Sequence, residues 1–271
     1  MSYATSLTGL QNAQTDLNVI GNNIANADTT GFKQSSVQFS NLVATSAYSN
    51  PTNIIGIGSA VSQIQQDFTQ GSVEQTGSAL DLAISGQGFF AVKSPDTAQT
   101  QFTRNGNFSL DSSTAATTGN SYIVDTNGNR LQVMVSGSTT PSDAIVPATD
   151  AAGGTFAGVT VSTGGLVSAA YSDGTNTPVG TVALAAFISP EGLLQNGDQD
   201  YSATGLSGAP VYGAPSAGTN GSLRSGALED SNVNLSSQLV DLITAQQYFE
   251  ANSKAIDATT VTVENIINLH E

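Results

Sequence analysis

The sequence predicts an α+β protein: long N- and C-terminal helices forming a coiled-coil domain, with a central all-β domain of sandwich or barrel-like type. Three observations predict it. Apolar residues recur with helical spacing at both ends of the 271-residue chain. The middle consists of short apolar runs separated by turn residues, and helical periodicity is almost absent there.

The first helix rests on Leu10, Ala13, Leu17, Ile20, Ile24 and Ala27, spaced 3-4-3-4-3 as the a and d positions of a heptad. Gln11, Asn12, Gln14, Thr15, Asp16 and Asn18 make the other face polar. A helix over 3–27 would span roughly 37 Å at about 1.5 Å per residue, with Thr30-Gly31 ending it. At the other end Leu235, Leu242, Phe249, Ile256 and Val263 recur every seven residues, and Leu239, Ala245, Ile266 and Ile267 widen the stripe. Asp230-Ser231-Asn232 offers capping side chains ahead of a helix over 233–269. Neither stripe can be buried by its own helix. The two are therefore expected to pair, placing 1–32 and 229–271 in one terminal-helix domain.

Between them, Leu80-Asp81-Leu82-Ala83-Ile84 and Phe89-Phe90-Ala91-Val92 flank a Gly86-Gln87-Gly88 turn. Further strands are expected over 100–104, 107–110, 121–125, 130–135, 158–162, 165–171 and 179–188. Asn105-Gly106, Asn127-Gly128, Gly164-Gly165 and Asp173-Gly174 supply hairpin signals. This places the β domain over 80–135 and 158–228. The small, polar, Pro- and Gly-punctuated stretch 136–157 reads as a loop or a reduced outer insertion. Residues 33–79 read as an extended linker with a strand candidate at 60–68. No internal repeat of fixed period stands out.

Composition narrows the function. Charged residues make up 10% of the chain, against about 25% in ordinary soluble domains. Such a neutral, hydrogen-bonding surface suits an extracellular or polymeric β-rich protein. With 21 acidic and 6 basic residues the net charge is −15. Lys33, Lys93, Arg104, Arg130, Arg224 and Lys254 are scattered singly, so nucleic acid and anionic membrane surfaces are not expected partners. There is no cysteine, hence no disulfide and no thiolate site. Met1-Ser2-Tyr3-Ala4 does not open a Sec-type signal peptide, and no run reaches the roughly 18 apolar residues of a membrane span.

Catalytic constellations fare poorly. The one histidine, His270, is read as a tail residue, so a Ser-His-Asp triad and a His-ligated zinc site are not expected. Asp125-Thr126-Asn127-Gly128-Asn129 opens like a calcium loop, but Arg130 and Ser136 stand where glycine and glutamate are needed, and a hairpin turn is the better reading. Asn196-Gly197-Asp198-Gln199-Asp200 fails the same test. Gly86-Gln87-Gly88 and Gly153-Gly154 do not lead into a helix, as a phosphate loop would. No catalytic residue, cofactor or metal is expected.

Four blocks carry a family resemblance. Val19-Ile20-Gly21-Asn22-Asn23-Ile24-Ala25-Asn26-Ala27-Asp28-Thr29-Thr30-Gly31-Phe32-Lys33 resembles the N-terminal signature of the bacterial flagellar axial proteins, the rod and hook family. Gln70-Gly71 and Thr76-Gly77 lead into Leu80 to Phe90, similar to that family's first β-domain motif; Phe102-Thr103-Arg104-Asn105-Gly106-Asn107-Phe108 is similar to its next hairpin. Gly226-Ala227-Leu228-Glu229-Asp230-Ser231-Asn232-Val233 resembles the block that opens the C-terminal helix.

Within the family, three stretches look most like the hook subunit: Met1-Ser2-Tyr3 with Leu7-Thr8-Gly9-Leu10, then Gln65 to Gly71, then Gly165 to Gly174. The near-absence of an outer domain at 136–157 argues instead for a distal or proximal rod protein. The resemblance implies a non-enzymatic subunit that polymerises helically into a tube, joining rod to filament in the hook reading. It implies partners among other copies and other axial proteins (rod, hook cap, hook-filament junction). It implies a place in the extracellular hook or basal body, reached by the flagellar type III export route. The expected polymerisation interface is Leu10, Leu17, Ile20, Ile24, Leu239, Leu242, Phe249, Ile256 and Val263. A secreted β-rich adhesin is the rival from another class, and a cell-wall hydrolase a third reading without a matching motif.

Overall fold

The computed structural model describes residues 3–43, 56–112, 119–135, 138, 140–150 and 153–268; His270 lies outside them. The chain is α+β, with a helix at each end and a β-rich centre, and it divides into two units. One comprises Met1–Ala27, Lys33–Asp67 and Val233–Glu271, the other Asp28–Phe32 and Phe68–Asn232.

In the first unit, α1 (Tyr3–Ala25) ends where the Asn26 side chain turns back to donate to the Asn22 carbonyl at 2.9 Å. The partner helix, α2 (Leu235–Asn268), starts at Asn234, whose side-chain oxygen accepts the Ser237 N–H at 3.2 Å. This corrects the capping expected from Asp230-Ser231-Asn232. In the second unit Asp230 accepts from the Ser72 hydroxyl at 2.8 Å, and Asn232 donates to Thr69. The helices run antiparallel. Asn23 Nδ2 donates to Gln238 Oε1 at one end of the pair, and a Cβ at Gly9 would lie 2.5 Å from Asn252 Oδ1 at the other. In that register the last turns of α2 extend past the first residue of α1.

Residues 33–79, expected as an extended linker with a strand candidate at 60–68, contain a hairpin of β1 (Ser35–Val43) and β2 (Gly56–Gln66), the second overlapping that candidate, paired from Ser35↔Gln66 to Val43↔Gly56. Backbone pairing, not an apolar alternation, specifies it, and α1 holds it. Asn23 clamps Ser35 in both directions, donating to its carbonyl at 2.8 Å and accepting its N–H at 2.9 Å; Asn12 Nδ2 donates to Ser59 Oγ at 2.7 Å.

The second unit begins with β3 (Val73–Gln75), β4 (Leu82–Ser85), β5 (Phe89–Lys93), β6 (Thr100–Thr103), β7 (Ser109–Asp111), β8 (Asn120–Val124) and β9 (Arg130–Met134). It continues with β10 (Ser142–Asp143), β11 (Ile145–Pro147), β12 (Phe156–Val161), β13 (Leu166–Tyr171), β14 (Asn176–Val182) and β15 (Leu184–Ala186). The last are β16 (Leu194–Gly197), β17 (Asp200–Ser202), β18 (Val211–Gly213), β19 (Ser222–Ser225) and β20 (Ala227–Glu229). Among the described residues one hydrogen-bonded path runs β12-β13-β14-β9-β5-β6-β17-β16; β19 pairs with β4, and β20 with β3.

The unbroken apolar run of β5 follows from burial on both faces. Phe90 and Val92 enter the larger core with Ile123, Leu131, Val167 and Leu184; Phe89 and Ala91 enter a smaller one with Phe102 and Tyr201. Phe89 packs edge-on against Phe68 and Phe187 there.

Two expectations need correction. The stretch 136–157, expected as a loop or a reduced outer insertion, is not wholly a loop: β10 pairs with β9 and β11 with β8, because Ala144 and Val146 alternate into the core. Asn105-Gly106 does not join neighbouring strands, since β6 pairs with β5 and β17 while β7 pairs with β8. The glycine is needed for close approach: a Cβ at Gly106 would lie 1.6 Å from the Leu82 carbonyl oxygen, whose residue donates its own N–H to the Gly106 carbonyl at 2.9 Å. Gly106→Ala is therefore expected to lower stability by about 2–4 kcal/mol in urea unfolding. A loss below about 1 kcal/mol would show that β4 gives way easily.

Candidate assembly interface

The seam between α1 and α2 is built from residues three and four apart on each helix. Ser6, Ala13, Ile20 and Asn23 of α1 are buried, as are Gln238 and Ala245 of α2. Of the interface residues expected from sequence, Ile20 is buried, and Leu10, Leu17, Ile24, Leu242, Phe249 and Ile256 are half-buried along this seam. Leu239 and Val263 stand apart, 51% and 55% exposed. Leu239 sits off the seam. Val263, with Ile266 and Ile267 at 60% exposure, lies on the overhanging end of α2. Periodicity missed the polar centre of the seam, the Asn23–Gln238 pair and the small Ala13 and Ala245. It also missed the exposed Val240, Ile243 and Val261 on the outer side of α2, although their spacing in sequence is helical.

In the second unit the sequence blocks converge on a buried ion pair. Arg104 Nη1 lies 3.3 Å from Glu229 Oε2, with the two side chains 3% and 0% exposed. Arg104 Nη2 donates to the Gly86 carbonyl at 2.9 Å, and its guanidinium lies 5.2 Å from the Phe89 ring centre. The other oxygen of Glu229 accepts the Gly71 N–H at 3.1 Å. Gly31, at φ +72°, donates its N–H to the Glu229 carbonyl at 2.7 Å, and a Cβ there would meet Asn105 N at 2.7 Å. Burial pulls the Arg104 guanidinium below its ordinary value, opposed by Glu229. Thus Gly31, Gly71, Gly86, Arg104 and Glu229, distant in sequence, serve one structural purpose.

The Asp125 turn satisfies its own carboxylate. Asp125 Oδ1 accepts the N–H groups of Asn127 at 2.8 Å and Asn129 at 2.9 Å, as a tight connection between β8 and β9 requires. Asn127 and Asn129 also donate side-chain N–H to Asp200 Oδ2 at 3.2 and 3.0 Å. Burial first, and then the Asp125 carboxylate, push Asp200 up to about 6. The folded chain therefore holds a proton that the unfolded chain has lost between the ordinary carboxylate range and about 6, and this group's contribution to stability falls as pH rises through that window. Asp200→Asn keeps an acceptor for both asparagines and is expected to stabilise the protein by about 1–2 kcal/mol at pH 7. The gap from the unsubstituted chain should close below about pH 4, where Asp200 is protonated in both states. Thermal unfolding of both chains across pH 3.5–7.5 checks this, and a pH-independent gap would contradict it.

The fold and these converging blocks can be set beside known proteins. A flagellar basal-body rod protein, FlgG, of Bacillus subtilis is 33% identical over 280 residues, covering 99% of this chain and 98% of the relative. The chain belongs to the flagellar rod and hook protein family. Its members are structural proteins, not enzymes. Family models match in three places: residues 4–33 as a flagella basal body rod protein, 83–169 as the D1 domain of the flagellar hook protein FlgE/F/G, and 224–269 as the flagellar basal body rod FlgEFG protein C-terminal. The FlgG rod protein of Agrobacterium fabrum is 34% identical over 94% of both chains. The hook protein FlgE of Salmonella typhimurium is 27% identical over 411 aligned residues, covering 99% of this chain and all of the relative. Among the described residues of this flagellar axial protein, no helix is long and apolar enough to cross a membrane.

Proposed function

We propose that the chain is a subunit of the flagellar axial tube that polymerises helically through its terminal helices. One observation carries the reading: the end of α2 that overhangs α1 leaves Val263, Ile266 and Ile267 together more than half exposed. Singly exposed apolar residues are ordinary, but a run of them along one helix marks a contact surface. Contacts between unlike faces of identical copies generate open filaments when the rotation between copies does not close a ring. The α1–α2 pair serves as a short coiled coil of the tube core, and the β-rich unit as a sandwich-like body. Neighbours are further copies and adjoining axial proteins, reached through flagellar type III export.

Two classes of axial subunit fit, each on its own observation. The rod reading is supported by the FlgG relatives, 33% and 34% identical to this chain against 27% for the hook protein FlgE. The hook reading is supported by the three hook-like stretches at the N-terminus, 65–71 and 165–174. Electron microscopy of concentrated full-length protein is expected to show tubes, and helical reconstruction separates straight rod-like from curved hook-like ones. A chain that stays monomeric at every concentration would end the proposal.

A further inference from the structure

Unit one carries two surfaces that the α1–α2 seam does not use. The first lies on α2 opposite the seam, where Val240, Ile243, Gln247, Ala251, Lys254, Ala258 and Val261 follow one another at helical spacing and are all exposed. In this stripe Lys254 is the single charge, and Ala251 and Ala258, about one turn to either side, leave room for a neighbour to approach. The second is a groove of about 250 Å³ between α1, β1 and α2. Its apolar wall is Val19, Val37 and Phe39, and its rim carries Asp16 and Asp241. Burial first, then the Asp241 carboxylate, push the Asp16 carboxyl above its usual range. No basic side chain pairs with Asp16 or Asp241 among the described residues. Lys33, the other cation of this unit, is fully buried.

We infer that the outer stripe of α2 in one copy of this chain docks into the α1–β1–α2 groove of the next, with Lys254 entering between Asp16 and Asp241. The inference rests on the reading that the chain polymerises, and it names the contact. Complementarity is the ground for choosing a second copy as occupant. The groove offers two carboxylates without a basic partner among the described residues beside an apolar wall, and the stripe offers one cation in a row that is apolar but for Gln247. The two surfaces are different patches of the same unit, so each copy can use both at once in a head-to-tail contact, which grows into a filament where the rotation between copies does not close a ring.

Charge exchange tests it on full-length protein. Lys254→Glu is expected to raise the critical concentration for tube formation at least tenfold in sedimentation, with an unchanged thermal unfolding midpoint. Asp241→Lys should be similarly deficient alone. A mixture of K254E and D241K copies should assemble again. The acidic stripe of a K254E copy then meets the basic groove of a D241K copy, whose own unaltered stripe meets the unaltered groove of the next K254E copy. Arg224→Glu, which removes an exposed cation of the second unit, should leave assembly unchanged. Assembly of K254E at the unsubstituted concentration, or failure of the folded pair to complement, overturns the inference while tubes of the unsubstituted chain keep the tube-forming reading intact. If the unsubstituted chain forms no tubes, that reading falls first and the contact with it.

Discussion

Glu229→Ala is expected to destabilise the protein by about 3–5 kcal/mol, because it leaves the Arg104 guanidinium buried without its counter-charge. The loss extends beyond the ion pair: the Gly71 N–H, which donates to Glu229 Oε1, also loses its acceptor. Arg104→Met combined with Glu229→Leu should cost clearly less than Glu229→Ala alone, since it removes both charges and fills their volume with apolar atoms. Denaturant unfolding of the unsubstituted chain and both variants decides the matter. Equal costs for the single and double variants would mean that the glycine contacts around the pair, not the charges, hold this region together.

Leu242→Asp should abolish tube formation while the β-rich unit stays folded. Leu242 is half-buried on the seam, one turn from Gln238 and three residues from Ala245. A carboxylate there must either lose its water or separate the helices, and desolvation of a charged group costs several kcal/mol. A rise of at least 100-fold in the critical concentration, equivalent to about 2.7 kcal/mol, is the expected size. The near-UV signal of the β-rich unit should persist. Tubes that survive this substitution would show that the seam does not support assembly.

Much of the architecture was legible because it depends on short-range pattern. Phe89-Phe90-Ala91-Val92 announced a strand, and Asp173-Gly174 a turn, which the structure realises between β13 and β14 with Gly174 at φ +84°. Of the β1–β2 hairpin only the strand candidate at 60–68, which overlaps β2, was legible. Its sequence is rich in serine and glutamine, and what specifies it is pairing between segments separated by residues 44–55, together with the Asn23 clamp. The helix cap shifted to Asn234 for a related reason: Asp230 and Asn232 were already engaged with Ser72 and Thr69, far away in sequence.

The candidate interface shows the same division. Heptad spacing identified which helix faces are apolar, but not which of them would meet. Leu242, Phe249 and Ile256 lie on the α1 seam; Leu239 remains exposed because it points off the seam, and Val263 because the antiparallel register fixed by Asn23–Gln238 lets α2 outrun α1.

By itself the sequence determined two amphipathic helices around a β-rich centre, written in spacing and turn residues, and a resemblance to a flagellar structural family, carried by four motif blocks. Only the tertiary structure decided that Arg104 and Glu229 share one buried site and that a face of α2 is left uncovered. Burial and pairing across more than a hundred residues depend on where the backbone travels, and local pattern carries no record of that.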